Sequence, residues 1–384
     1  MGTDLEKDKS LDVGKVVTVE IRDVAFGGDG VARFDELVIF VPFVDTGELV
    51  KVEIVEVKKN YCRGKLLEVL KSSPDRVEPV CKYFGKCGGC QYQHLSYSKQ
   101  LRLKQSQVIE IFKRLGKFDV LPVNPIIPCP MPYGYRNRIM IRSQLNKKEN
   151  KLNIGFLEEQ SRIVVDIEEC KLADAEINKE LMNIRSHFTG RGGIKKVLRI
   201  LPEGWEVPED SFFQNNFYML DELVKVVKQS IDFGRIKYLV DAYCGVGFFG
   251  VSLAQDFKTV VGVECDRQAI NAARLNARHR GFNNVEFIDG KTEEWLPVLA
   301  TRFPANQTAV LLDPPRTGCA VEVIRSILKI KPAQVIYVSC NPATLARDLN
   351  TLCDSKVYRL SGVTPLDLFP QTQHIECIAE VRTC

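Results

Sequence analysis

No apolar run among the 384 residues reaches the length of a membrane-spanning helix. The opening stretch, Met1 to Ser10, is charged and lacks the apolar core of a secretory signal, and neither end fits a lipidation pattern. We therefore expect a cytoplasmic protein with no membrane partner. Low-complexity tracts and internal repeats are absent too, which argues against disordered and fibrous classes. Charge of one sign is hardly in excess: 53 Lys and Arg against 49 Asp and Glu leave +4, too little to imply a polyanionic partner by its sum. What is present is a 45% hydrophobic chain, long enough for two or three domains. Thirteen cysteines with no export signal argue for metal ligation or thiol chemistry rather than a disulfide framework.

Short β-rich runs at Val16 to Ile21, Leu37 to Val41, Leu49 to Val57 and Cys62 to Leu70, separated by turns such as Phe26-Gly27-Gly28-Asp29-Gly30, predict an OB-like β-barrel over residues 10–71. After the break at Ser72-Ser73-Pro74-Asp75, Cys81, Cys87 and Cys90 fall within ten residues. An amphipathic helix over Tyr97 to Gly116 follows, then strands at Tyr135 to Gln144, Ile154 to Phe156 and Ile163 to Ile167, in an irregular central domain over 72–208. From 209 to 384 strands alternate with helices; the strands are read at Tyr238 to Asp241, Thr259 to Glu264, Val285 to Ile288, Ala309 to Asp313, Val335 to Ser339, Val357 to Val363 and Ile375 to Val381. This α/β alternation predicts an open, mostly parallel sheet covered by helices on both faces.

Ligands of such sheets gather at the carboxyl ends of the strands. There Asp241-Ala242-Tyr243-Cys244-Gly245-Val246-Gly247 allows a tight backbone turn, and Glu264, nineteen residues beyond Gly245, is placed for ribose hydroxyls. A nicotinamide dinucleotide and S-adenosylmethionine both fit this loop. Asp313-Pro314-Pro315-Arg316 ends the fourth strand with a carboxylate aimed by rigid prolines, and Arg316 is not the aromatic platform that amino-group methylases place there. Cys340 ends the fifth strand just before Asn341 and Pro342, which suit a helix start whose partial positive charge favours a thiolate. A thiolate that adds to carbon 6 of uracil makes carbon 5 nucleophilic, and a carboxylate such as Glu376 can then remove the carbon 5 proton.

Taken together, the run from Ser339 to Asp348, Asp313-Pro314-Pro315-Arg316, Ser211-Phe212-Phe213-Gln214-Asn215-Asn216 and His374-Ile375-Glu376 resemble the RNA 5-methyluridine methyltransferase family over nearly the whole chain. The resemblance implies a Rossmann-like class I methyltransferase domain behind a TRAM barrel and a small α+β central domain. It implies Cys340 as nucleophile, Glu376 as proton acceptor, and Gln214, Tyr243, Glu264 and Asp313 as S-adenosylmethionine residues. Cys81, Cys87, Cys90 and Cys170 resemble the iron-sulfur site of the ribosomal RNA branch, which favours a structural 4Fe-4S cluster over the rival, zinc. Phe248 and Gln371 depart from residues common in the family, a polar one and a histidine respectively.

RNA is the expected partner, with 23S ribosomal RNA favoured and a transfer RNA T-loop the runner-up, and the enzyme is expected to act as a monomer. Basic residues at Arg102, Lys104, Lys113 and Arg114, at Arg136, Arg138, Arg142, Lys147 and Lys148, and at Arg191, Lys195, Lys196 and Arg199 are candidate phosphate contacts. The readings from other classes are a noncatalytic RNA-binding ribosome-assembly factor and a nicotinamide-dependent oxidoreductase.

Overall fold

The computed structural model describes residues 11–120, 122–159, 161–188 and 192–384; Met1 to Ser10 and Arg191, which enter the sequence reading, lie outside them. The first sheet joins β1 (Val16–Glu20), β2 (Asp23–Val24), β3 (Gly30–Phe34), β4 (Leu37–Val41), β5 (Leu49–Val57) and β6 (Tyr61–Lys71) in the order β1-β5-β6-β4-β3-β2. Alternation makes it one-sided: Val50, Val52 and Ile54 of β5 are buried against Ile39 and Val41 while Lys51 faces solvent. The strand β3, which the sequence reading passes over, follows directly from the glycine turn.

Helix α1 (Tyr97–Arg114) starts at Ser96, whose Oγ accepts from the Lys99 amide at 3.3 Å. Its inner face does not stay with the central segment, because Val108 and Phe112 are fully buried in the core of the large C-terminal sheet. A four-stranded sheet follows, β10-β7-β8-β9, built from β7 (Arg138–Asn146), β8 (Lys151–Leu157), β9 (Val164–Asp166) and β10 (Lys195–Arg199). Helix α2 (Ala175–His187) packs Ile177 and Leu181 against Ile139 and Ile141.

After α3 (Leu220–Ser230), the third sheet has the order β13-β12-β11-β14-β15-β17-β16. Its strands are β11 (Tyr238–Ala242), β12 (Thr259–Glu264), β13 (Val285–Asp289), β14 (Thr308–Leu312), β15 (Gln334–Ser339), β16 (Tyr358–Leu366) and β17 (Glu376–Thr383). The connecting helices are α4 (Phe248–Ser252), α5 (Arg267–His279), α6 (Thr292–Leu299), α7 (Val321–Ile330) and α8 (Pro342–Asp354). β14 and β15 are buried along their whole length, as strands covered by helices on both faces must be. Each buried Val, Leu or Ile there contributes about 1.5–3 kcal/mol.

The first five strands in that order are parallel, but β17 enters antiparallel between β15 and β16. The reversal has a chemical consequence. An antiparallel strand begins where its parallel neighbours end, so the first residue of β17, Glu376, stands at the ligand-binding edge of the sheet.

Candidate active site

At that edge β11 gives way to a loop in which Tyr243 has a φ of 65° and Gly247 a φ of 83°. A Cβ on Gly247 would lie 2.8 Å from the Phe287 ring, so only glycine lets this loop close over β13. Glu264 is held at the mouth by backbone amides: Gly245 donates to Oε2 at 3.1 Å, and Cys265 and Asp266 donate to Oε1 at 2.8 and 2.9 Å. Both acceptor sites of Oε1 are thereby taken, and Oε2 retains one lone pair for a ligand hydroxyl. Tyr243 and Glu264 line a cleft of about 890 Å³ with Thr292, Gly318 and Arg347, a size suited to a nucleoside-bearing ligand.

Gln214 and Asp313 are not in that lining. Gln214 is buried where the central segment meets the sheet, its carbonyl accepting from Asn137 Nδ2 at 2.8 Å. Asp313 sits just past β14, and burial pushes its carboxyl up to about 7. Asp241, which the sequence reading quotes without a role, is buried: one oxygen takes the Gly250 amide at 2.8 Å and the other has no partner. Burial, with Asp313 and Glu264 adding to it, pushes Asp241 up to about 8. An edge crowded with carboxyls suits a ligand that brings positive charge, such as a sulfonium, better than a pyrophosphate.

Cys340 and Glu376 are brought together by strand register. Ser339, the last residue of β15, pairs with Cys377, so the next residue on one strand and the preceding residue on the other lie side by side. Asn341 caps α8 as expected, accepting from the Ala343 amide at 3.1 Å, with Pro342 in the first turn. The thiolate expectation is reversed: burial, followed by the Glu376 carboxyl, pushes the Cys340 thiol up to about 11. A helix N-terminus does not outweigh those two effects. Glu376 is buried, and burial with help from Asp313 raises its carboxyl well above the usual range.

The residue that opposes both shifts is Arg316, whose guanidinium favours the Cys340 thiolate and the Glu376 carboxylate. Its carbonyl is fixed by Asn341 Nδ2 at 3.0 Å and Thr344 Oγ1 at 3.3 Å. Sequence reasoning sets Arg316 aside as a non-aromatic; its place directly after the proline pair is the signal that could have found it. Phe248, by contrast, packs on Trp205 and Phe213 with ring centroids 5.6 Å apart, so this departure from the family pattern fills a core position.

Cys81, Cys87, Cys90 and Cys170 gather round one cavity of about 50 Å³ with Arg136 and Gln93. None is in a disulfide. Among the described residues no three His, Cys, Asp or Glu side chains stand grouped so that they could hold a metal ion. Burial pushes Cys87 up to about 11 and Cys90 up to about 12, with neighbouring cysteines adding and Arg136 opposing. Four half-buried thiols round one cavity are the donor type that an iron-sulfur cluster or zinc takes.

The basic residues separate into groups. Lys104 is fully buried on Asp367, Arg102 pairs with Asp75 at 2.8 Å and Lys196 with Glu180 at 3.4 Å. Arg199 donates to the carbonyls of Pro208, Glu209 and Ser211. These side chains are engaged by the protein itself. Arg138, Arg142 and Lys195 lie on two paired strands, Arg142 opposite Lys195 and Arg138 opposite Arg199.

Residues 194–381 match the tRNA (uracil-5-)-methyltransferase family, and residues 11–67 match the TRAM domain. An RNA methyltransferase of Halalkalibacterium halodurans is 33% identical over 95% of this chain and 96% of its own length. The tRNA (uracil(54)-C(5))-methyltransferase of Schizosaccharomyces pombe is 34% identical over 94% of this chain and 77% of its own. Among solved structures, the Pyrococcus abyssi tRNA (uracil-54, C5)-methyltransferase in complex with S-adenosyl-L-homocysteine has a TM-score of 0.71 at 24% identity, covering 95% of this chain and 100% of that one. Sheet order, loop chemistry and relatives agree: this chain belongs to the family of S-adenosylmethionine-dependent RNA uracil-5 methyltransferases.

Proposed function

We propose that Cys340 and Glu376 carry out the methylation of a uridine in structured RNA, and the observation that carries this reading is their pairing at the sheet edge. S-adenosylmethionine, bound along Tyr243, Glu264, Asp313 and Gln214, supplies an electrophilic methyl group. The Cys340 thiolate, its proton already lost to solvent, bonds to carbon 6 of uracil and the ring π electrons move toward carbon 5 and oxygen 4. Carbon 5 takes the methyl group, and the electrons of the broken sulfur–methyl bond stay on the departing sulfur. Glu376 then accepts the carbon 5 proton, the ring double bond reforms and Cys340 leaves as a thiolate. The protein environment that raises Glu376 also makes its carboxylate a stronger base than an exposed one.

We propose the division 10–71, 72–208 and 209–384 as TRAM barrel, central domain and catalytic domain. The ring must leave its stack to reach Cys340, which fits a single-stranded RNA loop. Exposed Phe212, two residues before Gln214, offers that base a stacking face. The like-charged cross-strand pair Arg142–Lys195 on β7 and β10 costs stability and suits RNA phosphates. We take large-subunit ribosomal RNA as the first substrate, supported by the barrel and the four-cysteine site. The yeast and Pyrococcus relatives, named for uracil 54 of transfer RNA, favour the second reading. Mass-spectrometric mapping of total RNA from cells with and without the gene should show one or more 5-methyluridines lost. An unchanged map would defeat the proposal.

The four cysteines, on this reading, hold a structural 4Fe-4S cluster. Protein purified without oxygen should be brown with broad visible absorbance, and Cys87→Ala should remove both colour and iron. A colourless wild-type protein carrying stoichiometric zinc would replace the cluster by zinc.

A further inference from the structure

The loop 367–375 between β16 and β17 delivers Glu376 to the site, and distant side chains hold it throughout. Gln371 has a φ of 69° and is 2% exposed. A left-handed, buried glutamine persists only where its surroundings over-determine it. The Gln371 carbonyl accepts from the amides of Gln91 and Tyr92, both at 3.0 Å. Its own amide donates to Gln100 Oε1 at 3.0 Å, and its Oε1 accepts from Gln100 Nε2 at 2.9 Å. The Gln373 amide donates to Gln91 Oε1 at 3.1 Å. Lys104, fully buried, donates to Asp367 Oδ1 at 2.6 Å, His374 O at 2.8 Å and Phe369 O at 3.1 Å. Three donors thus meet three oxygens of one loop, the last of them two residues before Glu376.

A lysine so enclosed is not a phosphate contact, and a glutamine so bonded is not merely a replacement for another residue. We infer that Gln371 and Lys104 are positioning residues for the proton-removal step: residues 91–104 set the Glu376 carboxyl against carbon 5 of the ring through this loop. Because Gln91 directly follows Cys90, the same bonds join the four-cysteine segment to the catalytic edge. The inference rests on the reading that Glu376 takes the carbon 5 proton. A loop displaced by a fraction of an ångström would still let Cys340 attack, since Cys340 is held by β15 and α8. It would leave the carboxyl short of its proton.

The test uses RNA from cells lacking the gene, labelled with uridine tritiated at carbon 5, and full-length protein. Gln371→Gly accepts the left-handed backbone without strain but loses the side-chain bond to Gln100; Gln91→Ala removes the bond to Gln373. Both should release tritium about tenfold or more slowly while single-turnover methyl transfer and the KM for S-adenosylmethionine stay near wild type. A methylated protein–RNA adduct resistant to denaturant should accumulate during turnover. Equal slowing of adduct formation, methyl transfer and tritium release in both variants, or wild-type behaviour in both, would overturn the inference. Glu376→Gln run in parallel separates the two ideas. If it fails to accumulate adduct, the role of Glu376 itself falls; if it does accumulate and the two loop variants do not, only the positioning role falls.

Discussion

Cys340→Ala should lose methyl transfer to uridine by roughly 10³-fold or more while S-adenosylmethionine still binds, because the substitution removes the only route by which carbon 5 becomes nucleophilic. The thiol lies at the end of β15 and is not part of the Tyr243–Glu264 cleft lining, so cofactor affinity should be little changed. RNA carrying 5-fluorouridine should give a stable adduct with wild-type protein and none with the variant, because fluorine cannot leave carbon 5 as a proton does. Since the Cys340 thiol is pushed up to about 11, the reactive thiolate is the minor form at neutral pH. Single-turnover adduct formation should therefore rise with pH from 7 to 9, approaching tenfold per unit where ionisation of the thiol is limiting. Arg316→Met should slow it at neutral pH and displace the rise further to the alkaline side, because the guanidinium works against the Glu376 and Asp313 carboxyls that face the sulfur. A Cys340→Ala protein that still turns over, or a flat pH profile in that range, would sink the covalent route.

The sheet was legible because each parallel strand is a short apolar run that ends in a loop of unusual composition, and β11, β12, β14 and β15 all advertise themselves in that way. Strand direction carries no local signal. The antiparallel entry of β17, which aligns Glu376 with Cys340, depends on which neighbours cover it and on the clamp around 367–375. β3 and β10 are no shorter than β1, β4 or β11, but Gly30-Val31-Ala32-Arg33-Phe34 and Lys195-Lys196-Val197-Leu198-Arg199 hold too few consecutive apolar residues to stand out from the turns beside them. Helix α2 has Ile177, Leu181 and Ile184 at helical spacing behind an Asp174 cap, a signal that was present and passed over. Burial was the quantity that sequence could not supply. It turns Lys104 from a surface cation into a loop anchor, and it raises Cys340 where proximity to a helix start would lower it.

Glu376→Gln should separate the two halves of the reaction. Glutamine keeps the shape of the side chain but cannot accept the carbon 5 proton, so attack and methyl transfer proceed once and the ring cannot expel Cys340. Turnover should fall by roughly 10²–10⁴-fold, and a methylated protein–RNA adduct should build up toward one per enzyme. The same substitution has a stability signature. Glu376 holds its proton more tightly folded than unfolded, so its contribution is fully present below the ordinary carboxylate value of 4.5 and is lost as pH rises toward and through the raised folded value. Wild-type Tm should consequently decline more steeply than that of Glu376→Gln as pH rises above 4.5, with the remaining buried groups common to both proteins. Release of free 5-methyluridine RNA by the variant at the wild-type rate would show that another group strips the proton, and parallel Tm curves would show that Glu376 is ionised without cost in the folded protein.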